Sequence, residues 1–147
     1  MKAEANTNDS RPFEVKHLDH VVLRVQDMQR SLAFYTQTLG CQITKHRDDL
    51  GMIHLAAGTS MIDLVDVQGP MGRQAGGPAD PQHRNVDHFC LRIAPFDETE
   101  ILAFLHSVGI KAEKAVTRYG AEGDGPSLYC FDPDGNQVEL KGPPVSV

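Results

Sequence analysis

Apolar and polar positions alternate over short stretches of this chain, and twice the alternation gives way to a helical period. From Leu18 to Val25, the residues Val21, Leu23 and Val25 fall on one face of a predicted strand, with Leu18, His20, Val22 and Arg24 on the other. Asp27 offers an N-cap, and Met28, Leu32, Tyr35 and Leu39 then recur at helical spacing until Gly40 ends the run. Residues 42–45, 52–57 and 61–67 read as three short strands, with turns at Asp48-Asp49 and Gly58-Thr59. The first unit is therefore βαβββ.

Residues 68–85 are rich in Gly, Pro and polar side chains and read as a linker, with too few apolar residues to hold it down as anything but a mobile flap. The opening pattern then returns. Leu18-Asp19-His20-Val21-Val22-Leu23-Arg24-Val25 has its counterpart in Val86-Asp87-His88-Phe89-Cys90-Leu91-Arg92-Ile93. Asp97, with Glu100 three residues on, forms a capping-box pattern before a helix whose apolar stripe is Ile101, Phe104, Leu105 and Val108, ending at Gly109. Strands are expected over 111–115, 127–131 and 136–141, with a turn at Asp132-Pro133-Asp134-Gly135-Asn136. The chain thus reads as a polar, disordered tail (1–14) and one domain (15–142), divided into modules 15–67 and 86–142. The fold class is α+β: two paired βαβββ modules forming a cup-shaped mixed sheet, with helices on the outer face.

The alternation also sorts the chemistry. If each helix covers Val21, Leu23 and Val25, or Phe89, Leu91 and Ile93, then His20 and His88 lie on the uncovered face. In the last strand of each module, Ile62 and Leu64 oppose Asp63, and Val138 and Leu140 oppose Glu139. One histidine and one carboxylate per module therefore share the uncovered face, and a lone histidine or carboxylate would not require that recurrence. The four suggest a divalent metal site, with His20, His88, Glu139 and Asp63 as ligands. Mixed imidazole and carboxylate donors suit Zn, Ni, Co, Mn or Fe(II). Asp63 is one methylene shorter than Glu139 and reaches a metal less surely. His54 alternates with Met52 and Ala56 and is expected to line the same face. Arg24 and Arg92, related by the repeat, are candidates to hold an anionic substrate. His17, His46, His83 and His106 read as surface residues.

Composition narrows the partners. Over 147 residues the formal net charge is −6, and no run of Lys or Arg offsets it, which argues against a nucleic-acid backbone as partner. No apolar run approaches the roughly 20 residues needed to cross a bilayer, and residues 1–14 lack the apolar core of a signal peptide. Cys41, Cys90 and Cys130 are odd in number and far apart, so a reducing cytoplasm is the expected setting.

Leu18-Asp19-His20-Val21-Val22, Phe34-Tyr35 with Leu39-Gly40, and Asp132-Pro133-Asp134-Gly135-Asn136 with Glu139 resemble the vicinal oxygen chelate superfamily. That superfamily includes glyoxalase I, extradiol dioxygenases, fosfomycin-resistance transferases, methylmalonyl-CoA epimerase and metal-free bleomycin-binding proteins. The resemblance spans residues 15 to 142 and implies paired βαβββ modules around a divalent metal, often in a homodimer. By position, His20, His88 and Glu139 match the usual ligands, and Asp63 falls where glyoxalase I carries a glutamate. The implied chemistry is a glyoxalase-like lyase or isomerase that acts on a small carbonyl substrate or its thiol adduct through a metal-stabilised enolate, with Glu139 and Asp63 as catalytic carboxylates. Leu128-Tyr129-x-x-Asp132-Pro133-x-Gly135-x-x-x-Glu139 resembles the end of the extradiol dioxygenase signature and makes Tyr129 a substrate-facing candidate. The upstream histidine of that signature aligns near Glu122. A dioxygenase and a ligand-sequestering resistance protein stand as the alternatives.

Overall fold

The computed structural model describes residues 12, 14–80 and 82–145. Most of the tail expected to be disordered, residues 1–11 and 13, lies outside the described residues. The element order is β1 (His20–Val25), α1 (Met28–Leu32), β2 (Gln42–Arg47), β3 (Met52–Ala57), β4 (Ser60–Asp66), β5 (His88–Arg92), α2 (Glu98–Ser107), β6 (Val116–Gly120), β7 (Gly123–Phe131) and β8 (Gln137–Lys141). Each module makes its own four-stranded sheet, ordered β1-β4-β3-β2 and β5-β8-β7-β6. In both, the first and last strands pair in parallel and the remaining neighbours are antiparallel. The fold is the α+β pair of βαβββ modules that the repeat implies, with one mixed four-stranded sheet to each module.

The helices cover the faces that alternation assigns to them. Leu23, Val25, Ile62 and Leu64 from one sheet and Leu128, Cys130, Val138 and Leu140 from the other join Phe34, Tyr35 and Leu105 in one core. Burial of this apolar area is the main driving force for the fold, at roughly 25 cal/mol per Å² removed from water. Asp27 caps α1 by accepting from the Arg30 N–H at 3.1 Å, and Asp97 caps α2 by accepting from Glu100 N–H at 3.0 Å.

Four local readings change. Leu18 lies outside β1 and is exposed. The helix predicted to run from Met28 to Leu39 is α-helical only to Leu32, and Ala33–Thr38 winds as a π-helix, with Leu39 N–H donating to Phe34 O. The Thr36 hydroxyl takes up the Leu32 carbonyl at 2.6 Å, a back-bond that bends and loosens a helix. Apolar spacing cannot register such a local widening. Residues 111–115 form no strand; the Ala115 N–H is held instead by Glu98 Oε1 at 2.9 Å, and the strand comes later, at Val116–Gly120. On α2 only Leu105 of the expected stripe is buried, with Ile101 partly so, while Phe104 and Val108 are about half exposed.

The linker is tethered rather than loose. A short 3-10 turn spans Gly72–Ala75. Arg24 reaches across it, donating from Nη1 to Gly77 O at 3.0 Å and from Nη2 to the carbonyls of Gly72 (3.1 Å) and Gly76. Gly72 is indispensable here, because a Cβ would stand 1.9 Å from the Asp66 carbonyl oxygen. Asn85 closes the segment by donating to Arg24 O at 3.1 Å. A charged strand residue therefore does the anchoring that apolar side chains do not.

The modules are tied by polar groups as well as by the core. Tyr35 is fully buried, and its hydroxyl donates to Asp132 Oδ2 at 2.6 Å across the module boundary. Asn136 Nδ2 donates to the same oxygen at 2.8 Å, while Asp132 Oδ1 accepts from the N–H groups of Asp134 and Asn136. Asp134 in turn accepts from the Gln26 N–H and the Ser31 hydroxyl. The Asp-Pro-Asp-Gly-Asn turn is thus the socket for α1.

Two outcomes test this account. Tyr35→Phe removes one donor from a buried carboxylate and should cost about 1.5–3 kcal/mol in urea denaturation; an unchanged midpoint would show that the tie is not needed. Limited trypsin digestion should cut after Arg84 before Arg73, and Arg24→Ala should bring the Arg73 cut forward. Equal rates at Arg73 in both proteins would show that Arg24 does not hold the linker.

Candidate functional site

The parallel pairing within each module places histidine and carboxylate side by side. In module one, β1 and β4 align Val22 with Asp63, so His20 lies diagonally across from that carboxylate on the same face. In module two, β5 and β8 align Cys90 with Glu139, and His88 takes the equivalent diagonal place. The neighbouring antiparallel strand supplies the third member of each row, His54 beside Asp63 and Tyr129 beside Glu139. The four predicted ligands thus fall on the helix-free faces, as two repeat-related pairs.

Each histidine is oriented by the aspartate before it. His20 Nδ1 lies 2.7 Å from Asp19 Oδ2, and His88 Nδ1 lies 2.6 Å from Asp87 Oδ2. The Asp19 hydrogen bond raises the His20 pKa, and the His88 bond lowers that of Asp87. With Nδ1–H held by a carboxylate, the neutral ring presents the lone pair of Nε2 outward, the tautomer that a metal requires. Both rings remain substantially open to solvent. Asp19 and Asp87 are not among the candidates read from the sequence; their signal is the twice-repeated Asp-His.

The two carboxylates have different surroundings. Glu139 Oε2 accepts from the Ser127 hydroxyl at 2.7 Å and the Cys90 thiol at 3.5 Å, and Oε1 accepts from the Tyr129 hydroxyl at 2.9 Å. Burial opposes its charge, but these hydrogen bonds and the neighbouring His88 outweigh it and hold the pKa below the ordinary range. Burial and the Glu139 carboxylate push the Cys90 thiol up to about 12. His88 Nε2 stands 3.4 Å from Glu139 Oε1. Asp63 is as deeply buried, yet its Oδ1, 2.9 Å from His54 Nδ1, is out of hydrogen-bonding alignment and has no partner.

The arginines are otherwise engaged. Arg24 is spent on the linker carbonyls, and Arg92 pairs through Nε with Glu122 at 2.9 Å while donating from Nη1 to Ile93 O. Tyr129 lies on the site, edge-on to His88, with the Arg118 guanidinium 5.9 Å from its ring centre. His17, His46, His83 and His106 are exposed, as read from the sequence.

Within one chain the two pairs remain apart: among the described residues no three of His, Cys, Asp and Glu converge on a common point. A cleft of about 760 Å³ runs beside β1 and β5, lined by His20 and His88 together with Cys90, Arg92, Met61 and Leu39. Both strands are sheet edges, each bonded on one side only. Among the described residues, no helix is long and apolar enough to cross a membrane.

Comparison with known proteins agrees with this fold. The chain is 28% identical over 134 residues to the virulence protein STM3117 of Salmonella typhimurium, covering 90% of this chain and 88% of that one. The crystal structure of that protein superposes with a TM-score of 0.74 at 25% identity, over 89% of this chain and 99% of the other. Glutathione transferase FosA of Serratia marcescens is 27% identical over 126 residues, covering 86% of this chain and 80% of its own. Lactoylglutathione lyase of Agrobacterium tumefaciens shares the fold, with a TM-score of 0.63 at 22% identity over 88% and 95% of the two chains. Residues 17–140 match the family model, and the chain belongs to the Glyoxalase/Bleomycin resistance protein/Dioxygenase superfamily.

Proposed function

We propose that the protein is a divalent-metal-dependent lyase or isomerase of the glyoxalase type, acting on a small carbonyl compound or its thiol adduct, with each site shared between two copies of the chain. The approach of His88 Nε2 to Glu139 Oε1 carries this reading. An imidazole fixed at Nδ1 turns a lone pair toward that carboxylate, and two acceptors face each other favourably only across a proton or a metal ion. The 3.4 Å separation suits a metal, since two ligand atoms each about 2.1 Å from a tetrahedral ion lie roughly 3.4 Å apart. Asp63 fits as well. A carboxylate charge buried this deeply is costly unless a cation stands near it. Zn, Ni, Co, Mn and Fe(II) all accept such donors, and members of the superfamily commonly use divalent metals.

A cation held by these residues supplies Lewis-acid stabilisation of an oxyanion or enolate on the substrate. The chain supplies the rest. Asp19 and Asp87 aim the imidazoles, and Ser127 and Tyr129 keep Glu139 ionised as a ligand. Asp63, which lacks the three donors that surround Glu139, would take a proton from the carbon beside the carbonyl and return it to the next carbon. Sharing between subunits follows from the free edges of β1 and β5, on which the two half-sites lie: pairing each edge with its counterpart in a homodimer brings His20 and Asp63 of one chain toward His88 and Glu139 of the other. Unpaired Cys41, Cys90 and Cys130 suit the cytoplasm. The likeness to FosA favours one second reading on the same residues, addition of a thiol to an electrophile. Glu122, engaged by Arg92 where the extradiol signature has histidine, counts against the dioxygenase.

Elemental analysis after mild purification should find near-stoichiometric divalent metal, lost in His20→Ala and in His88→Ala. Mixing those two variants should restore part of the binding, because one of the two sites in the hybrid dimer then carries no substitution. No restoration, with wild type loaded, would place the site within one chain. Asp63→Asn should bind metal about 10–100-fold more weakly yet still load at saturating metal, while turnover of a thiol–ketoaldehyde adduct falls by a general-base magnitude, about 10²–10⁴-fold. A wild-type protein that stays metal-free after reloading overturns the proposal in favour of a binding protein, and thiol addition without isomerisation favours the transferase.

A further inference from the structure

We infer that His54 is the positioning residue of Asp63, turning that carboxylate toward the site; the inference rests on the placement of Asp63 at a metal. The two modules supply an internal comparison. Around Glu139 stand Cys90 on the neighbouring parallel strand, Tyr129 directly opposite on the antiparallel strand, and Ser127 two residues before Tyr129, and all three donate to it. The equivalent places around Asp63 hold Val22, His54 and Met52. Two of the three donors have become apolar side chains, so His54 carries alone what three groups share in the other module.

Its placement suits that role. His54 Nδ1 is 2.9 Å from Asp63 Oδ1, and the two side chains are 22% and 5% exposed, so water competes little for the contact. The ring is out of line for a hydrogen bond, but rotation about its second side-chain torsion is soft and brings Nδ1–H onto the oxygen. The backbone beneath it is fixed. His54 pairs with Lys45 on one side and Asp63 on the other. The register of β2 slips between Ile43 and Lys45, where the Thr44 hydroxyl donates to His54 O at 3.2 Å. Such irregularities re-aim side chains beside functional sites. One oxygen held by His54 leaves the other free for the site, and a short aspartate thereby gains the fixed direction that its missing methylene would otherwise deny it. His54 is thus not a substrate contact but a support for the weaker acid.

The test is calorimetric titration of metal-stripped protein with Mn²⁺ and with Zn²⁺, alongside thermal melts of the unloaded variants. His54→Leu should weaken metal binding by about 10–100-fold, the usual effect of removing a group that orients a metal ligand. His54→Asn keeps a side-chain N–H close to the position of Nδ1 and should recover most of that loss. In an Asp63→Asn background, His54→Leu should have no further effect. Unchanged affinity in His54→Leu overturns the inference, as does an equal loss in His54→Asn, which would require the imidazole itself as a ligand. A loss that persists in the Asp63→Asn background overturns it too. Wild-type protein that binds neither ion refutes the proposed function itself, a result distinct from any of these.

Discussion

Parallel pairing of the first and last strands in each module is the constraint on which the site depends. It sets His20 diagonal to Asp63 and His88 diagonal to Glu139, and the period of two keeps all four off the faces that the helices bury. A one-residue slip of either pair would send the carboxylate into the core and an isoleucine or valine into the cup. Register is held from below by Leu23, Ile62 and Leu64 in one module and by Leu128, Val138 and Leu140 in the other. The chemistry thus rides on packing that takes no part in it.

Once the register is set, the two modules diverge. Glu139 is surrounded by donors and stays charged in spite of its burial, because Ser127, Tyr129 and Cys90 replace the water it has lost. Asp63 is buried to the same degree, and its Oδ1 has no aligned donor. The two modules thus hold one carboxylate ringed by three donors and one beside which His54 stands where Tyr129 stands in the other. In the proposed mechanism, that difference divides the labour between ligand and base.

The buried Asp132 turn performs the same operation for architecture. Its carboxylate gathers the Tyr35 hydroxyl, the Asn136 amide and two backbone N–H groups, so the π-helical segment that follows α1 docks onto the last turn of module two. Side-chain donors to a buried charge are specific in direction where apolar contacts are not, and here one of them crosses the module boundary. Arg24 works likewise at the linker, where guanidinium donors meet three carbonyls that no apolar residue could satisfy.

The sequence by itself determined the module plan, the identity of the four ligand candidates and the face on which they stand, because alternation and repetition are local patterns that a strand must express wherever it lies. It also announced both helix caps and the turn at Asp132. The tertiary structure alone decided who touches whom. Arg24 reads as a substrate cation until the linker carbonyls arrive; His54 reads as lining until β3 and β4 align it with Asp63; Phe104 reads as core until packing leaves it outside. It also set the two histidine–carboxylate pairs on separate sheets. These outcomes depend on contacts between residues remote in sequence, such as Tyr35 with Asp132 or Arg24 with Gly76, and no periodicity encodes the partner of a hydrogen bond that closes across the fold.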